Sequence, residues 1–189
     1  YGLMLRDGEG VPVNKKEAVR YFKMGIDKGH SNCMNSYAKM LQEGNGVPSD
    51  SKEASRLYKM AIAKGNVISM NNYANMLKNG KGVPVDKKEA ERLYKMAIEK
   101  GNVDAMYNYA NMLSDLKNER EAVKYYKMAS DRGHFYSSYN LACTLRFGAN
   151  EIKANQKEAV RLFKIAADNG FPPAMFNYGA MKYNGEGTQ

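Results

Sequence analysis

Asparagine is the residue of this chain whose placement most invites a chemical reading. Five glycines (Gly29, Gly65, Gly101, Gly133 and Gly170) each precede an apolar-periodic segment. Seven residues after them stand Ser36, Asn72, Asn108, Asn140 and Asn177. Six after them stand Asn35, Asn71, Tyr107, Tyr139 and Phe176, and ten after them Lys39, Asn75, Asn111, Cys143 and Ala180. An asparagine amide offers two donors and an acceptor, the complement of a peptide group. A ladder of such amides can grip an extended backbone without reading its side chains. Toward the C-terminal end the ladder gains Tyr107, Tyr136, Tyr139 and Phe176, aromatic bulk of the kind that makes pockets for anchor residues. Two blander readings compete: asparagine filling exposed positions by composition, and contacts between neighbouring repeats made by the amides and the tyrosines alike.

The remaining reactive side chains suggest no catalysis. Cys33 and Cys143 lie in different repeats and at different phases, so a disulfide is not expected, which favours a reducing, cytoplasmic compartment. His30 and His134 follow equivalent glycines, too far apart in repeat order to share a metal. No phosphate-binding loop and no nucleophile–base pair is present. Neither cofactor nor metal is expected, and the chain reads as a non-enzyme.

What positions these residues is a repeat. Tyr1, Tyr37, Tyr73 and Tyr109 recur every 36 residues, as do Gly8, Gly44 and Gly80, and Pro12, Pro48 and Pro84. A fixed period in this range marks a solenoid, whose units bury their apolar faces against their neighbours. In the unit Asn66–Gly101, Met70, Tyr73, Ala74 and Leu77 form one face of a first helix. Gly80-Lys81-Gly82-Val83-Pro84 breaks it. Ala90, Leu93, Tyr94, Ala97 and Ile98 form the stripe of a second helix. Asp86 with Glu89 three residues on reads as a capping box, repeated at Asn14/Glu17, Asp50/Glu53, Asn118/Glu121 and Asn155/Glu158. Core positions on each first helix are the fourth, fifth, eighth, ninth and twelfth after the glycine. The third, sixth, seventh, tenth and fourteenth then face the opposite side.

These residues resemble the Sel-1-like repeat family, relatives of the tetratricopeptide arrays. Gly80, Gly82, Val83, Asp86, Ala90, Leu93, Tyr94, Ala97 and Gly101 stand at matching positions, and the Gly-x-Gly-Val turn is the most specific part. Tyr73-Ala74 replaces the usual leucine-glycine. The resemblance covers the whole chain. It implies an all-α, right-handed superhelical solenoid of antiparallel helix hairpins, used as a scaffold for protein partners with no chemistry of its own. The side of the first helices away from the core would line the concave surface and hold an extended peptide or a partner helix.

One array is expected: partial units at 1–28 and 170–189, and full units near 29–64, 65–100, 101–132 and 133–169. The fourth turn, Ser114-Asp115-Leu116-Lys117-Asn118, lacks four residues and the Gly-x-Gly. The fifth gains one residue in Glu151-Ile152-Lys153-Ala154. The chain reads as an excised piece of a longer array, with Met175, Tyr178 and Met181 left uncovered and prone to self-association. No run approaches the roughly 18 apolar residues of a membrane span.

The net charge of +9 raises nucleic acid as a rival partner, in the manner of RNA-binding helical repeats. Its cations fall on the second helices, at Arg20/Lys23, Arg56/Lys59, Arg92/Lys95, Lys124/Lys127 and Arg161/Lys164. A glutamate precedes each first member by three residues, so part of this stripe is neutralised along its own helix. Lys39 is the only cation at the sixth, seventh and tenth positions. That distribution favours a protein partner over RNA.

Overall fold

Apolar residues at helical spacing, glycines at the helix ends and polar caps at the starts give helices of nearly uniform length. In the computed structural model, residues 1–149 and 152–187 are described. The first unit, Tyr1–Asn102, holds α1 (Gly2–Asp7), α2 (Lys15–Asp27), α3 (Ser31–Glu43), α4 (Ser51–Ala63), α5 (Val67–Asn79) and α6 (Lys87–Glu99). The second unit, Val103–Gln189, holds α7 (Val103–Asp115), α8 (Glu119–Ser130), α9 (Phe135–Phe147), α10 (Gln156–Asp168) and α11 (Pro172–Tyr183). In the first unit α1–α2, α3–α4 and α5–α6 pack as hairpins, and α2 and α4 also pack on the next first helix. The second unit repeats this with α7–α8 and α9–α10, then α8 on α9 and α10 on α11.

All five second helices start as expected, with one correction. The side chains of Asn14, Asp50, Asp86, Asn118 and Asn155 each accept from the backbone N–H of the glutamate three residues on. The return half of the capping box is not made. The cap residue's own N–H donates instead to a leucine carbonyl of the preceding helix, as Asp86 does to Leu77 at 3.1 Å and Asn155 to Leu145 at 2.7 Å. The same holds for Asn14 with Leu5, Asp50 with Leu41 and Asn118 with Leu113. That satisfies an orphan carbonyl at the end of the first helix and pins the hairpin. The glutamates, released from capping, turn outward to Arg20, Arg56, Arg92, Lys124 and Arg161.

The Gly-x-Gly turn has two separate requirements. Gly44 and Gly80 close α3 and α5 in the left-handed conformation, at φ 67° and 65°. Gly82 also takes positive φ, and a side chain there would collide with Ser51 at the start of α4, one repeat back. In the shortened fourth turn Lys117 takes φ 61°, a left-handed residue without glycine's freedom. In the fifth turn Ala149 and Ile152 exchange backbone hydrogen bonds, while Asn150 and Glu151 lie outside the described residues.

The core follows the expected stripes and is wider than they are. Ala54, Ala90, Ala122 and Ala159 are fully buried, as are Tyr58, Tyr94 and Phe163 at the ring position of the second helices. Met40, Met76 and Met112, eleven residues after their glycines, are 1%, 0% and 2% exposed, although that position was not among the expected core set. A first helix packed against two second helices buries a broader arc than a single stripe. The same breadth overturns the expectation that the sixth and seventh positions simply face away, because Asn71 and Ser36 are buried. Met181, expected at an open edge, is fully buried, whereas Met175 is 49% exposed.

Candidate interaction surface

Amides on the first helices of the first unit bond mainly to one another. Asn72 donates from Nδ2 to Oδ1 of Asn35 at 3.0 Å, and Ser69 Oγ donates to the same oxygen. Asn66 caps α5 through Ser69 N–H and donates at 2.7 Å to Asn32, one repeat earlier. Asn75 accepts at 2.6 Å from the hydroxyl of Tyr94. Lys39 is exposed beside Glu43, at 3.9 Å. These bonds tie α3 to α5 and α5 to α6.

In the second unit Asn111 plays the part of Asn75. It accepts from Tyr126 OH at 2.6 Å and from Asn140 Nδ2 at 3.2 Å. Asn177 donates to Tyr139 OH at 3.4 Å and to the Pro173 carbonyl, and accepts from Arg146. Asn108 is half-buried. Asn72, Asn75, Asn111, Asn140 and Asn177 are therefore held by bonds between neighbouring repeats or to tyrosine hydroxyls. Burial raises the pKa of Tyr94 and Tyr126, so both hydroxyls remain donors. The fifth hairpin confirms the logic by exchange: its core ring is Phe163, which has no hydroxyl, and its tenth position is Cys143.

The aromatic residues are differently placed. Tyr107, His134, Phe135, Tyr136, Tyr139 and Phe171 form a connected set of rings in the second unit. Tyr136 meets Phe171 edge-on at 5.1 Å, and Tyr139 meets it at 4.9 Å. Tyr107 lies 4.6 Å from His134 and 6.3 Å from Tyr136. Tyr136 is 42% exposed, and Phe176 on α11 is 76% exposed. His134 caps α9, its Nδ1 accepting from Ser137 N–H. Burial lowers its pKa against the pull of Asp104, whose carboxylate lies 3.9 Å from Nε2. The sequence reading missed His134, Phe135 and Phe171 as members of this set. They stand one or two residues after their glycines, outside the positions scanned, although an aromatic cluster at His134-Phe135-Tyr136 was visible.

Arg20, Arg56, Arg92, Lys124 and Arg161 each pair with the glutamate three residues before them on their own helix. Arg56 and Arg92 each hold their glutamate through two bonds, which keeps the pKa of Glu53 and Glu89 low. Lys23 and Lys59 lie over the rings of Tyr37 and Tyr73, each 5.6 Å from the centroid. These two basic residues thus meet aromatic rings of the first helices.

Among the described residues no group of three histidine, cysteine or acidic side chains could hold a metal ion, and no helix is long and apolar enough to cross a membrane.

The Sel1 repeat profile matches residues 1–30, 31–66, 67–102, 103–134, 136–171 and 172–189. The chain belongs to the Sel1 repeat family, an all-α class built from paired antiparallel helices. It is similar to a Sel1 repeat protein from Oxalobacter formigenes, at 26% identity and a TM-score of 0.85, over 95% of this chain and 75% of that one. An immunity protein from Pseudomonas aeruginosa shares the fold at 20% identity and a TM-score of 0.65, with 93% and 65% covered. An antigen from uropathogenic Escherichia coli does so at 24% identity and 0.52, with 97% and 48% covered. No curated protein matches the chain.

Proposed function

We propose that the chain is a non-enzymatic adaptor that binds a protein partner through the first-helix face, with an extended peptide or a partner helix as the bound element. The observation that carries this reading is the aromatic set of the second unit, where Tyr136 remains exposed beside its half-buried neighbours, with Phe176 exposed on α11. Exposed aromatic side chains beside polar amides suit an interface, because rigid rings gain contact area at little entropic cost. Membership of a family of interaction scaffolds supports it further. In this reading the aromatic residues anchor the partner. The amides of Asn35, Asn71, Asn72, Asn75, Asn108, Asn111, Asn140 and Asn177, with Lys39, contribute at the rim through whatever donor and acceptor capacity the repeats leave. In this reading residues 1–189 act as one array, and the exposed Met175 of α11 favours self-association.

Quantitative affinity capture tests the adaptor reading. Wild-type protein and a Tyr136→Ala, Phe176→Ala variant are compared for the proteins retained, with folding checked by circular dichroism. Loss of a defined partner by the folded variant is the expected result. Equal retention by both would remove the aromatic set from the interface.

A further inference from the structure

Aromatic rings on this chain are repeatedly given a cation. Lys23 lies over Tyr37, Lys59 over Tyr73, Lys124 over Tyr125 at 5.4 Å, and Arg146 over Phe147 at 5.0 Å. The ring cluster at the start of α9, like the Tyr1–Tyr21 pair, is among the rings without one. No lysine or arginine among the described residues lies over Tyr107, Tyr136 or Phe171. The charged side chain found there is a carboxylate. Asp104 is one turn before Tyr107 on α7, its side chain 71% exposed, and its contact at 3.9 Å is with a histidine. Burial keeps that histidine, His134, on its neutral side near neutral pH, so it does not cancel the charge.

We propose that the edge formed by Asp104, Tyr107, Tyr136 and Phe171 receives an arginine or lysine side chain of a partner protein. The inference rests on the adaptor reading and names the chemistry of the partner's anchor. The quadrupole of a tyrosine or phenylalanine ring presents negative charge at its face, and a cation within about 6 Å of the centroid is attracted to it. A carboxylate beside the rings adds attraction of the same sign and rejects an acidic anchor. An arginine suits the site best, since its guanidinium can stack flat on a ring while its N–H groups reach a carboxylate. Asp104 also stands in the first turn of α7, where an acidic residue favours the helix dipole. That role predicts a stability effect without an effect on binding, so the two are separable.

The test uses the whole chain and three blocked tripeptides, Gly-Arg-Gly, Gly-citrulline-Gly and Gly-Glu-Gly, titrated while the side-chain resonances of Tyr107, Tyr136 and Phe171 are followed by NMR. The expected result is millimolar binding of the arginine peptide with shifts confined to this edge. Citrulline, which keeps the shape without the charge, and glutamate should bind several-fold more weakly. Asp104→Asn should weaken the arginine peptide about two- to fivefold, the range of an exposed cation–π or ion-pair contact. Tyr136→Ala should abolish the shifts, and Tyr136→Phe should restore them if the ring face is what binds. Equal response to arginine and glutamate, arginine binding indifferent to Asp104→Asn, or the absence of shifts would each overturn the proposal. The two readings fail separately: if capture depends on Tyr136 but the partner's contact segment holds no lysine or arginine, the adaptor stands and the cationic anchor falls.

Discussion

Residues 1–102 contain 18 lysines and arginines against 11 aspartates and glutamates, with seven aromatic side chains; residues 103–189 contain 11 against 9, with 13 aromatic side chains. Both units use the same hairpin. Each second helix opens on an asparagine or aspartate cap, carries a glutamate paired to the basic residue three on, and buries an alanine and an aromatic ring. What differs is the face of the first helices. In the first unit it is amide on amide, closed by Asn35, Asn66 and Asn72. In the second the Asn140–Asn111 bond is joined by a set of packed rings that opens outward at Tyr136. The scaffold residues thus fix the hairpin, and the first-helix face is free to diverge.

The strongest way to break that comparison is at the tenth position. Replacing Asn75 by alanine leaves the Tyr94 hydroxyl, buried at the hairpin centre, without the acceptor it now has at 2.6 Å. A stranded buried donor costs about 1–3 kcal/mol. Adding Tyr94→Phe should recover much of the loss, because the second change removes the donor itself. The fifth hairpin has Phe163 and Cys143 at these two positions, with no ring hydroxyl to strand, so Cys143→Ala should cost less than Asn75→Ala. Urea denaturation of the three single variants, Asn75→Ala, Tyr94→Phe and Cys143→Ala, and of the Asn75–Tyr94 double variant measures all of this. Independent, additive losses at Asn75 and Tyr94 would show that the two do not act as a pair.

A smaller effect tests the amide bridges. Asn72→Ala removes the bond to Asn35, and Asn140→Ala removes the bond to Asn111. Each loss is worth about 0.5–1.5 kcal/mol net, against a gain of up to about 0.7 kcal/mol in helix propensity. Slight destabilisation is expected at both sites, with partner affinity little changed. A variant more stable than wild type that has lost its partner would assign these amides to the ligand instead.

These two sites also show what the sequence could reveal. The hairpins, their boundaries and the caps of Asp86 and its equivalents were legible because period, glycine and proline each act locally. The seventh-position asparagines were legible as a feature, but not in their role. Rotation around one helix places them away from that helix's own stripe, and only the neighbouring repeat shows that Asn35 and Asn72 meet. The exchange of Tyr94 and Asn75 for Phe163 and Cys143 was written in the sequence as a paired change, visible once the two positions are known to touch. Asp104 beside His134 was not legible, since the contact spans two first helices.

His134 offers a comparison with Asn66, the cap of α5. Both accept from the backbone N–H three residues on, but only the histidine can be protonated into losing that role. Its folded pKa is lowered by burial below the ordinary 6.5, so the unfolded chain binds the proton more tightly. The stability it confers is present in full above about that value. It is lost as pH falls through the unfolded pKa toward the depressed folded one. His134→Asn keeps a capping side chain and should flatten the decline in stability between pH 7 and pH 5. A variant with the same slope as wild type would place the pH dependence elsewhere.

The smallest expected effect concerns the turns. Gly44 and Gly80 close α3 and α5 at φ 67° and 65°, and Lys117 takes φ 61° in the shortened turn between α7 and α8. A side chain in that region costs roughly 1–2 kcal/mol through the clash of Cβ with its own backbone. Lys117→Gly removes the clash. It also frees the unfolded chain, at a cost of about 0.5–1 kcal/mol, so the net gain should be between a few tenths and about 1 kcal/mol. Asparagine, which tolerates this conformation, should gain less, and Lys117→Val should lose stability because a β-branched side chain suits it worst. Thermal melts of the three variants give the order directly. If valine is as stable as glycine, the fourth turn has no left-handed residue to relieve, and the two units close their hairpins by different means.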